Sequence, residues 1–592
     1  MVRAMMDTSR PKSKPLPTVG DSGHWNLLSD VASFDPPRGA NMRQAKSLRL
    51  GLDRSTYAWA LAGLLSLFVL SRVSGLTHQS LWYDEGYTVA LASAPNFHEF
   101  WVRFGNFTTS EHLQPLYYFF IYLWSRVAGV SDVALRLPSA LFSFGSGIAA
   151  YIATRQIAGG RSKVALLSAA ALAASSFSLY YAQEARPYAM LQLLSFSLLA
   201  VFLRNRAVAA HRPLSPGAQI AFGAVCSLCL LGSAFTALLV LCLAVSDLVV
   251  TRDWKRWIAS WSIPATVSAI AFLAYVIPAL RTMPSLVARD VTAIRQPLWM
   301  NVGYTVYGIF YGTTLQPAPS LLRGPHKLHV ALTYWPVILP AVLVLLAVAC
   351  GSYLLLGTAK RRSAVLSIPL LALALYALLF FGVFGAVGHL NVLPRHASAL
   401  FALLFVVVAA AASLVPRSSS KLATRMFLFG LGGWLLLNFV SIAGYYSNSA
   451  FRKDDYREAA ALLRGYSVPT FVVAGQPMLL QRYGAETSDA TNATPGNLSA
   501  FIKDSSGGAP EVVLLFNQYR NYRWASTELN PVQVMSPEYA CRTAKHLANI
   551  DIYECRYLSH GAQIVPGAAE ATLLSEHRAG REGRSSGNSS AQ

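Results

Sequence analysis

Between Tyr57 and Tyr446 the chain returns repeatedly to apolar stretches of about 17–25 residues, the length an α-helix needs to cross a bilayer. The stretches fall at 57–76, 134–157, 164–182, 188–204, 216–232, 234–250, 257–279, 333–357, 363–385, 396–415 and 424–446. They predict about eleven spanning helices. The segment 216–250 can also be read as one hairpin kinked at Gly232. Lipid offers no partner to a backbone N–H or C=O, so each span must satisfy its own, as an α-helix does. Composition agrees. Of 592 residues 54% are hydrophobic and only 13% charged, against about 25% charged in a soluble domain. Lipid has to cover much of the surface.

The formal net charge is +21, which by itself would suit a nucleic-acid partner. The bases are instead scattered at the ends of apolar runs rather than clustered with aromatics, and no nucleic-acid binding is expected. They set orientation. With the N-terminal tail (Arg38, Arg43, Lys46, Arg49, Arg54) placed in the cytoplasm, alternation puts every short basic loop on that side. These loops carry Arg161 and Lys163; Arg204, Arg206 and Arg212; Arg252, Lys255 and Arg256; Lys360, Arg361 and Arg362; and Arg417, Lys421 and Arg425. The scheme holds only if Pro115–Gly129, short and rich in Tyr, Phe and Trp, lies in the interface instead of crossing. Loops 77–133 and 280–332, and everything after about residue 447, then face outward.

Residues 1–56 and 567–592 have the composition of disordered tails. The first apolar run comes too late for a cleaved signal peptide. Residues 57–446 form the transmembrane domain. Residues 447–566 change character, with helical spacing over Asp455–Tyr466 and β-branched runs at Pro469–Ala474 and Glu511–Phe516. A small extracytoplasmic α/β domain is expected there. Cys226 and Cys229 lack polar neighbours and read as core packing, whereas Cys541 and Cys555 can pair if their surroundings are oxidising.

Four outward-facing places carry residues fit for chemistry. The first loop opens with Leu81-Trp82-Tyr83-Asp84-Glu85-Gly86-Tyr87. Two adjacent carboxylates beside a span are costly unless hydrated or used, and one could accept a proton from an acceptor hydroxyl. Acids at a helix start read equally well as a response to the helix dipole. Glu111, His112 and Gln114 precede the interfacial segment and are possible substrate contacts, or an ordinary polar loop. Glu184 and Arg186 occupy a short turn before Pro187, and Arg395 and His396 stand at a later helix start. An arginine at either place can hold phosphate, or can serve as an ion-pair partner or headgroup anchor. Carboxylates and arginines on one rim suit cleavage of a sugar–phosphate bond, the arginines stabilising the leaving phosphate. A transporter or a partner-binding scaffold is the alternative. A transporter more often carries ionisable groups near the midplane or inverted repeats, and neither stands out here.

These residues also carry a resemblance. The succession Trp82-Tyr83-Asp84-Glu85, Gln114-Pro115-Leu116-Tyr117-Tyr118, Ala134-Leu135-Arg136-Leu137-Pro138-Ser139 and Gln183-Glu184-Ala185-Arg186-Pro187-Tyr188 resembles the GT-C glycosyltransferases. The nearest group is the dolichyl-phosphate-mannose–protein mannosyltransferase-like proteins, which include the Rgt-type and aminoarabinose transferases. The resemblance is strongest over about residues 80–250. Asp454-Asp455-Tyr456-Arg457-Glu458-Ala459-Ala460 is similar to a segment that many relatives carry after their last span.

The resemblance implies a bacterial inner-membrane enzyme that transfers sugar, with inversion, from a polyprenyl-phosphate donor to a lipid, glycan or protein acceptor. It implies Asp84 as the base or acceptor-positioning group, Glu85 as its helper, and Arg186 and Arg395 near the donor phosphate. It leaves Tyr83, Glu111, His112, Gln114, Glu184 and His396 as possible substrate contacts. It also implies two outer-loop helices parallel to the membrane. Many relatives read His-Pro-Pro-Leu-Tyr-Tyr where this chain has His112-Leu113-Gln114-Pro115-Leu116-Tyr117-Tyr118, so the histidine is displaced. Relatives differ in whether they bind a divalent metal, and no metal is predicted.

Overall fold

Every one of the eleven apolar runs falls on helix in the computed structural model. The structure describes residues 54–558 except 107–109, 212, 292–296, 316, 318–328, 330–331, 358–363, 389–391, 449–450, 452, 518–530 and 536–537. The expected tails lie outside the described residues, except 54–56, which begin a helix instead.

The helices on these runs are α1 (Arg54–Val73), α5 (Asp132–Ile157), the pair α6 (Ser162–Ala173) and α7 (Ser176–Ala182), α8 (Tyr188–Ala209), α9 (Pro216–Gly232), α10 (Ala234–Thr251), α11 (Trp254–Val291), α13 (Trp335–Gly357), α14 (Ala364–Ala377, continuing as a π-helix to Val387), α15 (Ser398–Leu414) and α16 (Lys421–Ser447). Among the described residues seven spans are long and apolar enough to cross alone, and α6 with α7 makes an eighth bent by 59°. α9 is apolar but only 17 residues long. The expected single span 164–182 is therefore broken, at Ser175, whose extended backbone and side-chain cap start α7. Segment 216–250 resolves into two helices, because Ser233 is extended and caps α10. Helix α8 lies in the middle of the bundle and is buried along most of its length.

Between α1 and α5 the chain forms α2 (Tyr83–Ala92), α3 (Phe97–Asn106) and α4 (Pro115–Ala128). At 14 residues, α4 is about 21 Å long, short of the roughly 30 Å hydrocarbon layer. Its Tyr117, Tyr118, Ile121 and Tyr122 pack inward while Phe119, Leu123 and Val127 stay exposed. On α3, Phe100 and Phe104 are buried while Phe97 and Trp101 are exposed. Both helices show the exposed apolar face expected at a lipid boundary.

The second long loop contributes α12 (Leu298–Tyr311), which packs on the turn Pro394–His396. Thr305 Oγ1 donates to Val392 O at 2.9 Å. A Cβ on Gly308 would lie 2.4 Å from Pro394 Cγ, so glycine alone permits this approach.

After α16 comes a small sheet domain, built from α17 (Tyr456–Leu463), α18 (Pro477–Arg482), α19 (Leu498–Ser505), α20 (Pro531–Met535) and a five-stranded sheet. Strands β1 (Thr470–Ala474) and β3 (Glu511–Phe516) are the two runs read from sequence; β2 (Ser488–Asp489), β4 (Tyr539–Leu547) and β5 (Ile550–Tyr557) complete the order β2-β1-β3-β5-β4. β1 pairs in parallel with β2 and β3, while β5 runs antiparallel to β3 and β4. Cys541 and Cys555 face each other across β4 and β5 and are disulfide-bonded.

Candidate active site

Helix α2 begins where the chain leaves α1, and its first turn holds both carboxylates of the Asp84-Glu85 pair. Their surroundings differ completely. Glu85 is fully buried and takes Arg136 Nε at 2.9 Å and Nη2 at 2.5 Å. It also accepts the N–H groups of Ala185 (2.6 Å) and Trp82 (3.2 Å). Burial opposes its ionisation, but the charge and hydrogen bonds of Arg136, then the Lys453 charge and the Ala185 N–H, hold its carboxyl below the ordinary range. Arg136 has further work, donating to the carbonyls of Leu76, Gln79 and Ser80 at 2.7–2.8 Å. The pair clips the turn 76–80 to the start of α5.

Asp84 is half-open instead. Its Oδ2 accepts from Arg395 Nη1 at 3.0 Å, with side-chain exposures of 14% and 33%. Arg395 reaches it from the single turn Pro394–His396 held by α12. His396 stacks on Phe235, and burial, then the charges of Arg395 and Arg186, hold its imidazole far below the usual range and thus neutral.

Arg186 lies underneath. Its Nη1 donates to Asp84 O and to Tyr118 Oη, both at 2.9 Å, and its Nη2 to Glu111 Oε1 at 2.6 Å and Tyr188 Oη at 3.3 Å. Thr88 Oγ1 donates to Ala185 O at 2.7 Å, so Ala185 and Arg186 are both tied to this loop. Glu184 is buried against Lys453 Nζ at 3.1 Å.

The structure thus gathers Asp84, Glu85, Glu111, Glu184, Arg186, Arg395 and His396 at one end of the bundle. Tyr83 borders it, with its ring against Tyr87 and its N–H bonded to Asp454 Oδ2 at 3.3 Å. Gln114 immediately precedes α4 and is buried. The His112 side chain lies outside the described residues. Arg136, Lys453, Asp454 and Tyr118 had no role assigned from sequence. Arg136 carried a signal, being a charge about one turn into an apolar helix; Asp454 stood in a segment similar to one that many relatives carry, and Lys453 carried no signal. Among the described residues no three His, Cys, Asp or Glu side chains converge as metal ligands would.

Residues 112–281 match the family model described as dolichyl-phosphate-mannose-protein mannosyltransferase. No curated protein sequence matches the chain. Among solved structures the fold resembles ArnT from Cupriavidus metallidurans in the apo state (TM-score 0.51) and bound to undecaprenyl phosphate (0.50). Each is 12% identical and covers 84% of this chain and 98% of its own. The archaeal oligosaccharyltransferase AglB from Archaeoglobus fulgidus gives a TM-score of 0.46 at 13% identity, over 78% of this chain and 70% of its own. The chain is a polytopic integral membrane protein that shares its fold with ArnT, and residues 112–281, which carry Arg136, Glu184 and Arg186, are mannosyltransferase-like in sequence.

Proposed function

We propose that the protein is an inverting glycosyltransferase that takes sugar from a polyprenyl-phosphate donor at the extracytoplasmic face of a bacterial inner membrane, with Asp84 as the general base. The observation that carries this reading is a contrast in exposure. Asp84–Arg395 is open at 14% and 33%, whereas Glu85–Arg136 (0% and 2%), Glu111–Arg186 (5% and 3%) and Glu184–Lys453 (1% and 4%) are sealed. Sealed, matched pairs suit a scaffold; a pair left open to water suits chemistry. The family-model match over residues 112–281 and an ArnT structure of similar fold bound to undecaprenyl phosphate support the donor class.

In this mechanism the acceptor hydroxyl oxygen attacks the anomeric carbon while its proton passes to Asp84. The bond from that carbon to the phosphate oxygen breaks, and its electron pair leaves with the polyprenyl phosphate. Arg395 has Asp84 and His396 as hydrogen-bond partners among the described residues, and the rest of its planar fork suits the leaving phosphate. Arg186 spends both terminal nitrogens on protein groups, so its part is to hold Asp84 in place and to add positive field. Glu85 positions through Arg136 without touching substrate. The acceptor is a lipid, glycan or protein.

The test is to incubate purified protein with a panel of polyprenyl-phosphate sugars and measure release of polyprenyl phosphate. Cleavage of at least one donor, lost in Arg395→Ala, is expected. A protein that cleaves none, or transports labelled sugar across vesicles without forming a glycosidic bond, ends the enzyme reading.

A further inference from the structure

The segment that follows the last span reaches back under the reactive pair. Lys453 carries its charge into the bundle end with its side chain 4% exposed, 3.1 Å from Glu184 Oε1. The ammonium also lies over the ring of Tyr180 at 4.7 Å and that of Trp82 at 5.7 Å. Both supports flank functional groups, since Trp82 caps α2 two residues before Asp84 and Tyr180 is on α7.

Neighbouring contacts follow the same line. Lys453 N donates to Gln79 Oε1, Ser80 Oγ to Asp454 O, and Tyr456 N to Ser80 Oγ, at 2.8–3.1 Å. Asp454 Oδ2 takes the N–H of Tyr83, placing a carboxylate at the N-terminus of α2. Further out, Tyr483 Oη accepts from Leu81 N and donates to Asp132 Oδ2, which Arg457 and Arg482 also hold. Residues 79–83 are therefore bonded along their length to residues after α16.

Building on the transferase reading, we propose that Lys453 and Asp454 are positioning residues for transfer, supplied by the C-terminal domain: the Lys453 charge balances Glu184 and Asp454 ties the first turn of α2, so that docking of this domain sets the place of Asp84. A buried carboxylate stripped of its counter-charge is strongly disfavoured, and relieves itself by taking a proton or by moving. Glu184 neighbours Ala185 and Arg186, which hold Glu85 and Asp84. Its displacement moves the reactive carboxylate.

The experiment uses the full-length protein with the polyprenyl-phosphate sugar that it cleaves. Lys453→Met is expected to lower kcat per folded molecule about 10²-fold while the donor KM changes little, because positioning and not donor binding is lost. Lys453→Arg keeps the charge and retains more activity, and adding Glu184→Gln to Lys453→Met recovers part of the loss. In hydrogen exchange, amides 79–86 exchange faster in Lys453→Met and in Asp454→Asn than in the parent, with exposed Arg542→Ala as an unchanged control. Normal kcat in Lys453→Met overturns the proposal, as does a loss confined to the yield of folded protein. Should the parent cleave no donor, the transferase reading falls. The exchange measurement still decides whether Lys453 and Asp454 fix the loop, and unchanged protection would refute that.

Discussion

At the scale of single residues, the Asp84-Glu85 pair shows two identical chemistries divided by burial. Asp84→Asn keeps shape and hydrogen-bonding capacity but cannot take a proton. Transfer should fall about 10²–10⁴-fold, the usual worth of a general base, with membrane insertion and melting unchanged; an active Asn variant would remove the base. Glu85→Gln should fail differently. It leaves the buried Arg136 without its counter-charge and costs about 3–5 kcal/mol, read as a lower melting temperature in detergent. Because the folded carboxyl lies below its ordinary value of 4.5, Glu85 adds stability above about pH 4.5 and loses it as pH falls through the folded value. The melting gap between parent and Glu85→Gln should narrow on acidification below that point, and a gap independent of pH would show that ionisation is not what Glu85 contributes. Sequence alone could single out these acids as costly beside a span. Their division into base and helper came from the resemblance and not from the residues themselves, because what separates their surroundings is the arrival of Arg136, Ala185 and Arg395 from 51, 100 and 311 residues away.

Among elements, the legible ones were those whose periodicity and caps are local. The apolar runs gave helices, and Glu511–Phe516 gave β3 with the same bounds. Strands β4 and β5 were missed, because β4 is exposed along most of its length and has no apolar alternation to betray it. The break between α6 and α7 was missed as well: a serine that caps a new helix looks, in sequence, like any small residue in an apolar run. Helix α12 gains meaning only from its contact. Gly308 lets it sit against Pro394, and the proline ring cannot yield to a methyl group 2.4 Å away. Gly308→Ala should push the Pro394–His396 turn and Arg395 outward, lowering kcat/KM about 10²-fold without loss of folded protein. Wild-type kinetics in that variant would mean that α12 does not set the position of Arg395.

For the whole molecule the constraint is parity. Counted over the eleven spans expected from sequence, Asp84 follows one, Glu184 three, Arg395 nine and Lys453 eleven, all odd numbers, and the structure brings all four together. Had α4 crossed, Asp84 would be on the opposite side from Glu184 and Arg186, and the hydrogen bond from Arg186 to Asp84 O could not exist. The basic loops follow even numbers of these expected spans, so the positive-inside rule predicts a rim that faces outward. Exposed positions Asn497, in the C-terminal domain, and Ser419, between α15 and α16, then belong on opposite sides. In sealed right-side-out vesicles a membrane-impermeant maleimide should label Asn497→Cys at once and Ser419→Cys only after permeabilisation. The reverse pattern would turn the rim toward the cytoplasm, and equal labelling of both from outside would mean that the number of crossings between them is even.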